Sequence, residues 1–229
     1  TVTVCRSSDC SYDTDPSMTG DVTDASDNCT PFALLDITYI DNPPTLDDCN
    51  ISGSIERTWI VKDIAGNTTQ KIQKIWIEAL VQITAPDDTI CNGETTNIIV
   101  SSLNTTTNGI RYTWTVTDNP DVTGESGSTG EGQLINIPIV QTLTNTSNDY
   151  QKVEYTITPW AIDHNGNNKC PGVPVTVEIW IEPTVYITAP NDTICDGGVT
   201  NIIPTSVNTT TIGIRYTWTV TDNPDITGK

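Results

Sequence analysis

The chain has 229 residues, with 29 Asp and Glu against 10 Lys and Arg and a formal charge of -19. That balance argues against a nucleic-acid backbone or an anionic membrane face as partner, since both are gripped by clustered Lys and Arg. No apolar run reaches the roughly 18–20 residues that cross a bilayer, so no membrane insertion is expected.

Thr, Ile and Val supply 41, 28 and 17 residues, 86 of 229, while Leu and Ala together supply 14. β-Branched side chains lose rotamer freedom in helices and pack well on pleated sheets, so the composition predicts an all-β protein. In chain order, Thr1-Val2-Thr3-Val4 already reads as a strand rather than a leader peptide. Ile110, Tyr112, Trp114 and Val116 alternate with Arg111, Thr113, Thr115 and Thr117. Val153, Tyr155 and Ile157 alternate with Lys152, Glu154, Thr156 and Thr158, and a nine-residue strand is predicted from Val173 through Val175, Val177 and Ile179 to Ile181. Asn92-Gly93, Asn108-Gly109 and Asn165-Gly166-Asn167 mark the turns between them. Such short strands with one buried face each describe an immunoglobulin-like β-sandwich.

Self-comparison exposes a repeat. Ile83 to Gly124 returns as Ile187 to Gly228, shifted by 104 residues without a gap, and Ile75-Trp76-Ile77-Glu78 returns as Ile179-Trp180-Ile181-Glu182. The expected units are residues 1–82, 83–186 and 187–229, the first incomplete at its start and the third cut short, as in a window onto a longer array. The linker Glu182-Pro183-Thr184-Val185-Tyr186 holds no Gly or Ser, which predicts stiff junctions and an elongated tandem array. The seven cysteines include no C-x-x-C pair, which favours disulfides in an oxidising compartment over a zinc site.

The second unit resembles the PKD-like repeats of very large surface proteins of gliding and other Bacteroidota. The resemblance rests on Thr89 to Ile98, Arg111 to Val116, Val153 to Asp163 and Cys170 to Val177. Asp15 to Cys29, Ile55 to Asn67 and Gln73 to Ile77 of the first unit resemble the hyalin-repeat-like immunoglobulin-fold modules of the same proteins. Together they look like gliding-motility adhesins of the SprB type, exported by type IX secretion as cell-surface filaments. This resemblance implies an extracellular, non-catalytic role. It implies neighbouring repeats as partners, with surface polysaccharide or motility machinery beyond them. It also implies disulfides Cys91–Cys170 and Cys29–Cys49, and a local Cys5–Cys10 bridge, since Ala65 stands where the family's turn carries a cysteine. Cys195, which matches Cys91, would pair beyond Lys229.

Other chemistry is sparse. His164 is the single histidine and sits in a hairpin turn, with no partner to make it a general base. Asp163, Asn165 and Asn167 partly fit a Ca²⁺ loop, but Asp and Asn equally bond their own backbone in turns. No other cofactor is indicated. Asp88-Thr89-Ile90 and Asp192-Thr193-Ile194 match the pattern used for O-glycosylation in Bacteroidota, making Thr89 and Thr193 candidates against the plain reading of a first strand. Trp160 and Trp180 fall out of phase with their apolar neighbours. They are either exposed rings that stack on sugars, as in a carbohydrate-binding accessory module of a secreted enzyme, or packing at the unit junctions.

Overall fold

A computed structural model describes residues 1–44, 46 and 48–227; Thr45, Asp47 and the predicted end of the third unit, Gly228 and Lys229, lie outside the described residues. The chain is all-β, a series of β-sandwich elements. In the first part, β1 (Val2–Cys5), β2 (Asp36–Asn42), β3 (Gly53–Lys62) and β4 (Thr68–Glu78) form one sheet in the order β1-β4-β3-β2. β1 runs parallel to β4, with Val2 opposite Ile75 and Cys5 opposite Glu78, while the other pairs are antiparallel. Alternation turns Val4, Ile55, Ile75 and Ile77 to one face, where Tyr12 and Leu46 pack on them.

The segment between β1 and β2 holds only a short helix, α1 (Pro16–Thr19), and one 3-10 turn at Phe32–Leu34. Arg57 fastens this segment to the sheet. Its side chain is fully buried, pairs with both carboxylate oxygens of Asp41 at 2.7 and 2.8 Å, and donates to Thr19 Oγ1 and the Thr14 carbonyl. The Tyr39 ring lies 4.2 Å from the guanidinium, completing a buried charge whose donors find partners on two layers.

The second part adds β5 (Ile83–Thr84), β6 (Asp88–Ile90), β7 (Ser101–Ser102), β8 (Ile110–Val116), β9 (Val122–Thr123), β10 (Gln133–Leu134), β11 (Thr144–Asn145), β12 (Gln151–Ile162), β13 (Asn168–Pro171) and β14 (Val175–Ile181). The main sheet is ordered β10-β8-β12-β14-β6, with β13 also on β12. Short pairs β5–β7 and β9–β11 and bridges at Thr95–Thr142 and Ile98–Ile139 close the facing layer. The alternation read from the sequence places Ile110, Tyr112 and Trp114 of β8, Val153, Tyr155 and Ile157 of β12, and Val177, Ile179 and Ile181 of β14 in one core. The predicted strand from Val173 begins instead at Val175, because Pro174 has no N–H for the ladder and Val173 bonds elsewhere.

Of the third part, β15 (Ile187–Thr188) and β16 (Thr205–Ser206) pair as β5 and β7 do. Residues 214–220, the counterpart of β8, form no strand, and Trp218 is 78% exposed where Trp114 is 8% exposed. β8 is held by β12 and β10, and the described residues contain no such neighbours for its counterpart.

Two phenols lie inside the second core. Tyr112 donates to the Gln133 side chain at 3.0 Å and to the Ile137 carbonyl, and Tyr155 donates to Gln141 Oε1 at 2.7 Å. Burial pushes Tyr112 up to about 12 from its ordinary 10.0, and Tyr155 higher still. In the unfolded chain both lose their protons near the ordinary value, so the unfolded state binds fewer protons above it and stability falls as pH rises. Unfolding free energies from denaturant titrations between about pH 8 and 12 should stay flat up to about pH 10 and then decline, by about 1.4 kcal/mol per pH unit for each buried phenol. Tyr112→Phe should shallow the decline.

Candidate functional site

Between Glu78, the last residue of β4, and Ile83, the first of β5, run only Ala79, Leu80, Val81 and Gln82. Ala79 and Val81 are buried, at 1% and 0% exposure, unusual for a connection between units. Buried backbone polar groups must find partners, and here they find them on both sides. Toward the first unit, the Ala79 amide donates to Ser52 Oγ at 2.9 Å and the Leu80 amide to the Cys49 carbonyl at 3.1 Å. Toward the second, the Gln82 amide donates to Asn104 Oδ1 at 3.0 Å, while the Leu80, Val81 and Gln82 carbonyls accept from Asn104 Nδ2, Val173 and Leu103. The linker is therefore an irregular connection whose backbone is hydrogen-bonded to both units.

Glu78 spans the same gap. It is fully buried, and its Oε2 accepts from Ser52 Oγ at 2.9 Å in one unit and from the Thr107 amide at 3.0 Å in the next. The arrangement recurs 104 residues on. Glu182 accepts from the Thr211 amide at 3.1 Å and from its hydroxyl, and the Tyr186 amide donates to Asn208 Oδ1 at 2.7 Å as Gln82 does to Asn104. Ser102 and Ser206 likewise donate to the Gln82 and Tyr186 carbonyls. Two junctions thus share one clamp, built from a carboxylate at the end of one sheet and an amide, an Asn and a Ser of the following unit.

Disulfides reinforce the first junction, with pairings that differ from those the resemblance implied. Cys5 bonds Cys170 across the two units, with Cα atoms 5.3 Å apart, and Cys10 bonds Cys49, at 4.8 Å. The expected Cys91–Cys170 bridge is sterically excluded. β6 runs parallel to β14 with Ile90 opposite Ile181, which is opposite Gln151 at one end of β12, whereas Cys170 lies opposite Ala161. Ten residues of β12, about 33 Å, separate the two positions. The expected Cys5–Cys10 bridge fails because Cys5 packs on the second unit's core, while the turn from Ser7 to Ser11 carries Cys10 to Cys49. With Cys49 taken, the expected Cys29–Cys49 pair cannot form, and Cys29 is exposed, its amide tied to Asp27. Cys91 and Cys195 are also exposed free thiols. Gly172 shows how closely β13 approaches the linker: a Cβ there would lie 2.1 Å from the Val81 carbonyl oxygen.

The remaining candidates lie apart from one another. Asp163 Oδ1 accepts from the amides of Asn165 and Asn167, both at 2.9 Å, a turn bonding its own backbone. The Arg111 guanidinium donates to the Gly166 carbonyl at 2.6 Å, placing a positive charge on this turn. The Asp163 bonds are those that an Asp and Asn turn makes to its own backbone without an ion. Asp63 forms the equivalent turn with Asn67, which holds its carboxyl below the ordinary value. His164 is exposed in the turn. Among the described residues no three His, Cys, Asp or Glu side chains gather as a metal site.

Trp160 and Trp180 share the outer face but form no pair. Trp180 is opposite Lys152, eight residues from Trp160 along β12, or about 26 Å. Both are half-buried rather than exposed: Trp160 donates to Thr113 Oγ1, and Trp180 lies against Tyr150 and beneath Lys152. Lys152 in turn bonds Glu154 and Glu178, which push its ammonium up to about 12. Thr89 and Thr193 are exposed at matching positions, each amide donating to the preceding Asp at 2.8 Å. Sequence reasoning missed Glu78, Asn104 and Thr107; their recurrence as Glu182, Asn208 and Thr211 was the available signal.

Residues 88–185 match the family model of the PKD-like domain. Among solved structures the chain is similar to protocadherin gamma B2 extracellular cadherin domains 3–6, at 11% identity and TM-score 0.32, covering 76% of this chain and 51% of that one. It is also similar to human mucin-like protocadherin EC1-2, at 9% identity and TM-score 0.26, covering 71% and 92%. Human CDH23 EC21-23 follows at 13% identity and TM-score 0.28, covering 67% and 57%. The chain spans about half the length of the first of these. No curated protein matches the chain, and no helix among the described residues is long and apolar enough to cross a membrane.

Removing the Glu78 carboxylate strands the Thr107 amide and the Ser52 hydroxyl, each worth about 1.5–3 kcal/mol as a bond to a charged group. Because the substitution also removes Glu78 Oε1, which is buried without a hydrogen-bond partner among the described residues, Glu78→Ala should lower unfolding free energy by about 2–3 kcal/mol in denaturant titrations, less than the sum of the two bonds. Glu78→Gln, which keeps an accepting oxygen, should cost less than half as much.

Proposed function

We propose that the chain is a stiff, non-catalytic segment of a long extracellular filament, of the kind formed by gliding-motility adhesins of the SprB type and exported by type IX secretion. The observation that supports this reading most strongly is the clamp repeated at both junctions, with a disulfide across the first. A linker whose backbone is bonded to both neighbours resists bending, so successive units set a length rather than a floppy string. The PKD-like match over residues 88–185 is in keeping with a repeat module. Units 1–82, 83–186 and 187–229 are the beads, and neighbouring repeats of the same chain are the first partners. Surface polysaccharide or the motility machinery engages the filament elsewhere along its length. Thr89 and Thr193 are its O-glycosylation positions. The net charge of -19 keeps filaments soluble and mutually repelling.

A compact globule of this length would have a radius of gyration of about 17 Å. X-ray scattering should give a value well above that for the oxidised chain. Glu78→Ala combined with Asn104→Ala and Cys5→Ser should broaden its distance distribution as the first junction loosens. A globular particle would overturn the reading. So would saturable glycan binding abolished by Trp160→Ala and Trp180→Ala, which the carbohydrate-binding alternative requires.

A further inference from the structure

We infer that Cys91 is the outgoing half of a second disulfide between units, whose partner is the cysteine that takes the place of Cys170 in a complete following unit. The inference rests on strand registers and stands whether or not the filament reading does.

Cys5 and Cys91 hold the same position in their respective sheets. Val2, Thr3, Val4 and Cys5 lie parallel to β4, opposite Ile75, Trp76, Ile77 and Glu78. Asp88, Thr89 and Ile90 lie parallel to β14, opposite Ile179, Trp180 and Ile181, which are those same β4 residues shifted by 104. One more step sets Cys91 beside Glu182 as Cys5 is beside Glu78, and the Glu182 amide donates to the Ile90 carbonyl at 2.9 Å. At that position Cys5 is already bonded to Cys170 of the next unit, so this site has an observed partner and not merely a reactive thiol.

The second junction is also built to receive that partner. In the first, Cys170 is delivered by the run Cys170-Pro171-Gly172-Val173, in which Val173 bonds the Val81 carbonyl and Gly172 admits the close approach. Val81 recurs as Val185, and the clamp around it recurs through Glu182, Thr211, Ser206 and Asn208. Asn92, next to Cys91, bonds Thr184 of the second linker at 2.8 Å, which fixes the thiol at this junction. Within its own unit Cys91 cannot reach Cys170, and it is exposed and unpaired. Cys195 corresponds to Cys91 and is the outgoing half for the junction after that. Bond formation is thiol–disulfide exchange: the two thiols are oxidised to one disulfide while a low-molecular-weight disulfide is reduced to two thiols, which take up both protons.

The test lengthens the whole chain after Gly228 with a second copy of the segment 125–186, which completes the third unit, folded in an oxidised and reduced glutathione buffer. After blocking of free thiols, non-reducing peptide mapping should show Cys5 joined to Cys170 and Cys91 joined to the appended copy of Cys170. Cys29 and Cys195 should carry the blocking group. Cys91 blocked while Cys5–Cys170 forms, or the appended cysteine joined to Cys195, would overturn the inference. The original chain carrying Cys5→Ser gives a second reading that needs no added segment. At high dilution Cys170 and Cys91 should both be blocked, and an intramolecular Cys91–Cys170 peptide would refute the register on which the inference stands.

Discussion

Everything distinctive about this chain depends on a four-residue linker having its backbone polar groups satisfied by both of the sandwiches it joins. Ala79 and Leu80 donate backward, Gln82 donates forward, and three successive carbonyls accept from the second unit. Buried amides and carbonyls cost free energy unless paired, so the linker cannot rotate without breaking several bonds together. Glu78 and the Cys5–Cys170 bridge act in parallel with it, one electrostatic and one covalent. A flexible Gly- and Ser-rich connection would have required none of these.

This arrangement changes what a unit is. Cys5 belongs by sequence to the first sheet but packs against the second core. Val81 and Ile83 follow the first sheet directly in the chain yet belong to the core of the second. The cores interlock at their ends, and the separation of 165 residues between Cys5 and Cys170 makes the two units one covalent loop. The third part shows the complementary case: with its clamp made but no counterpart of β12 and β14 among the described residues, Tyr216 and Trp218 remain open to solvent.

Much of the sheet structure was legible because side-chain alternation is a local signal. Ile110 to Val116 and Val153 to Ile157 point as their pattern says, and the Asn-Gly turns fall between strands. The disulfides were not legible, since a cysteine's partner depends on which end of a strand it occupies, and only the parallel register of β6 on β14 shows that Cys91 and Cys170 lie at opposite ends. The tryptophans illustrate the same limit: phase placed Trp160 and Trp180 on one face but carried no information on their separation along it. Glu78 was overlooked because a carboxylate ending a strand looks like ordinary surface. Its burial is created by a loop around Thr107 from the neighbouring unit.

Amide hydrogen exchange on the oxidised chain tests the shared linker most directly, because it reads each of these bonds separately. The amides of Ala79, Leu80, Gln82 and Thr107 should exchange as slowly as those of β8 and β12, opening only when the sandwiches themselves open. Exchange of these four at the rate of an exposed connection, while the strands stay protected, would contradict the account.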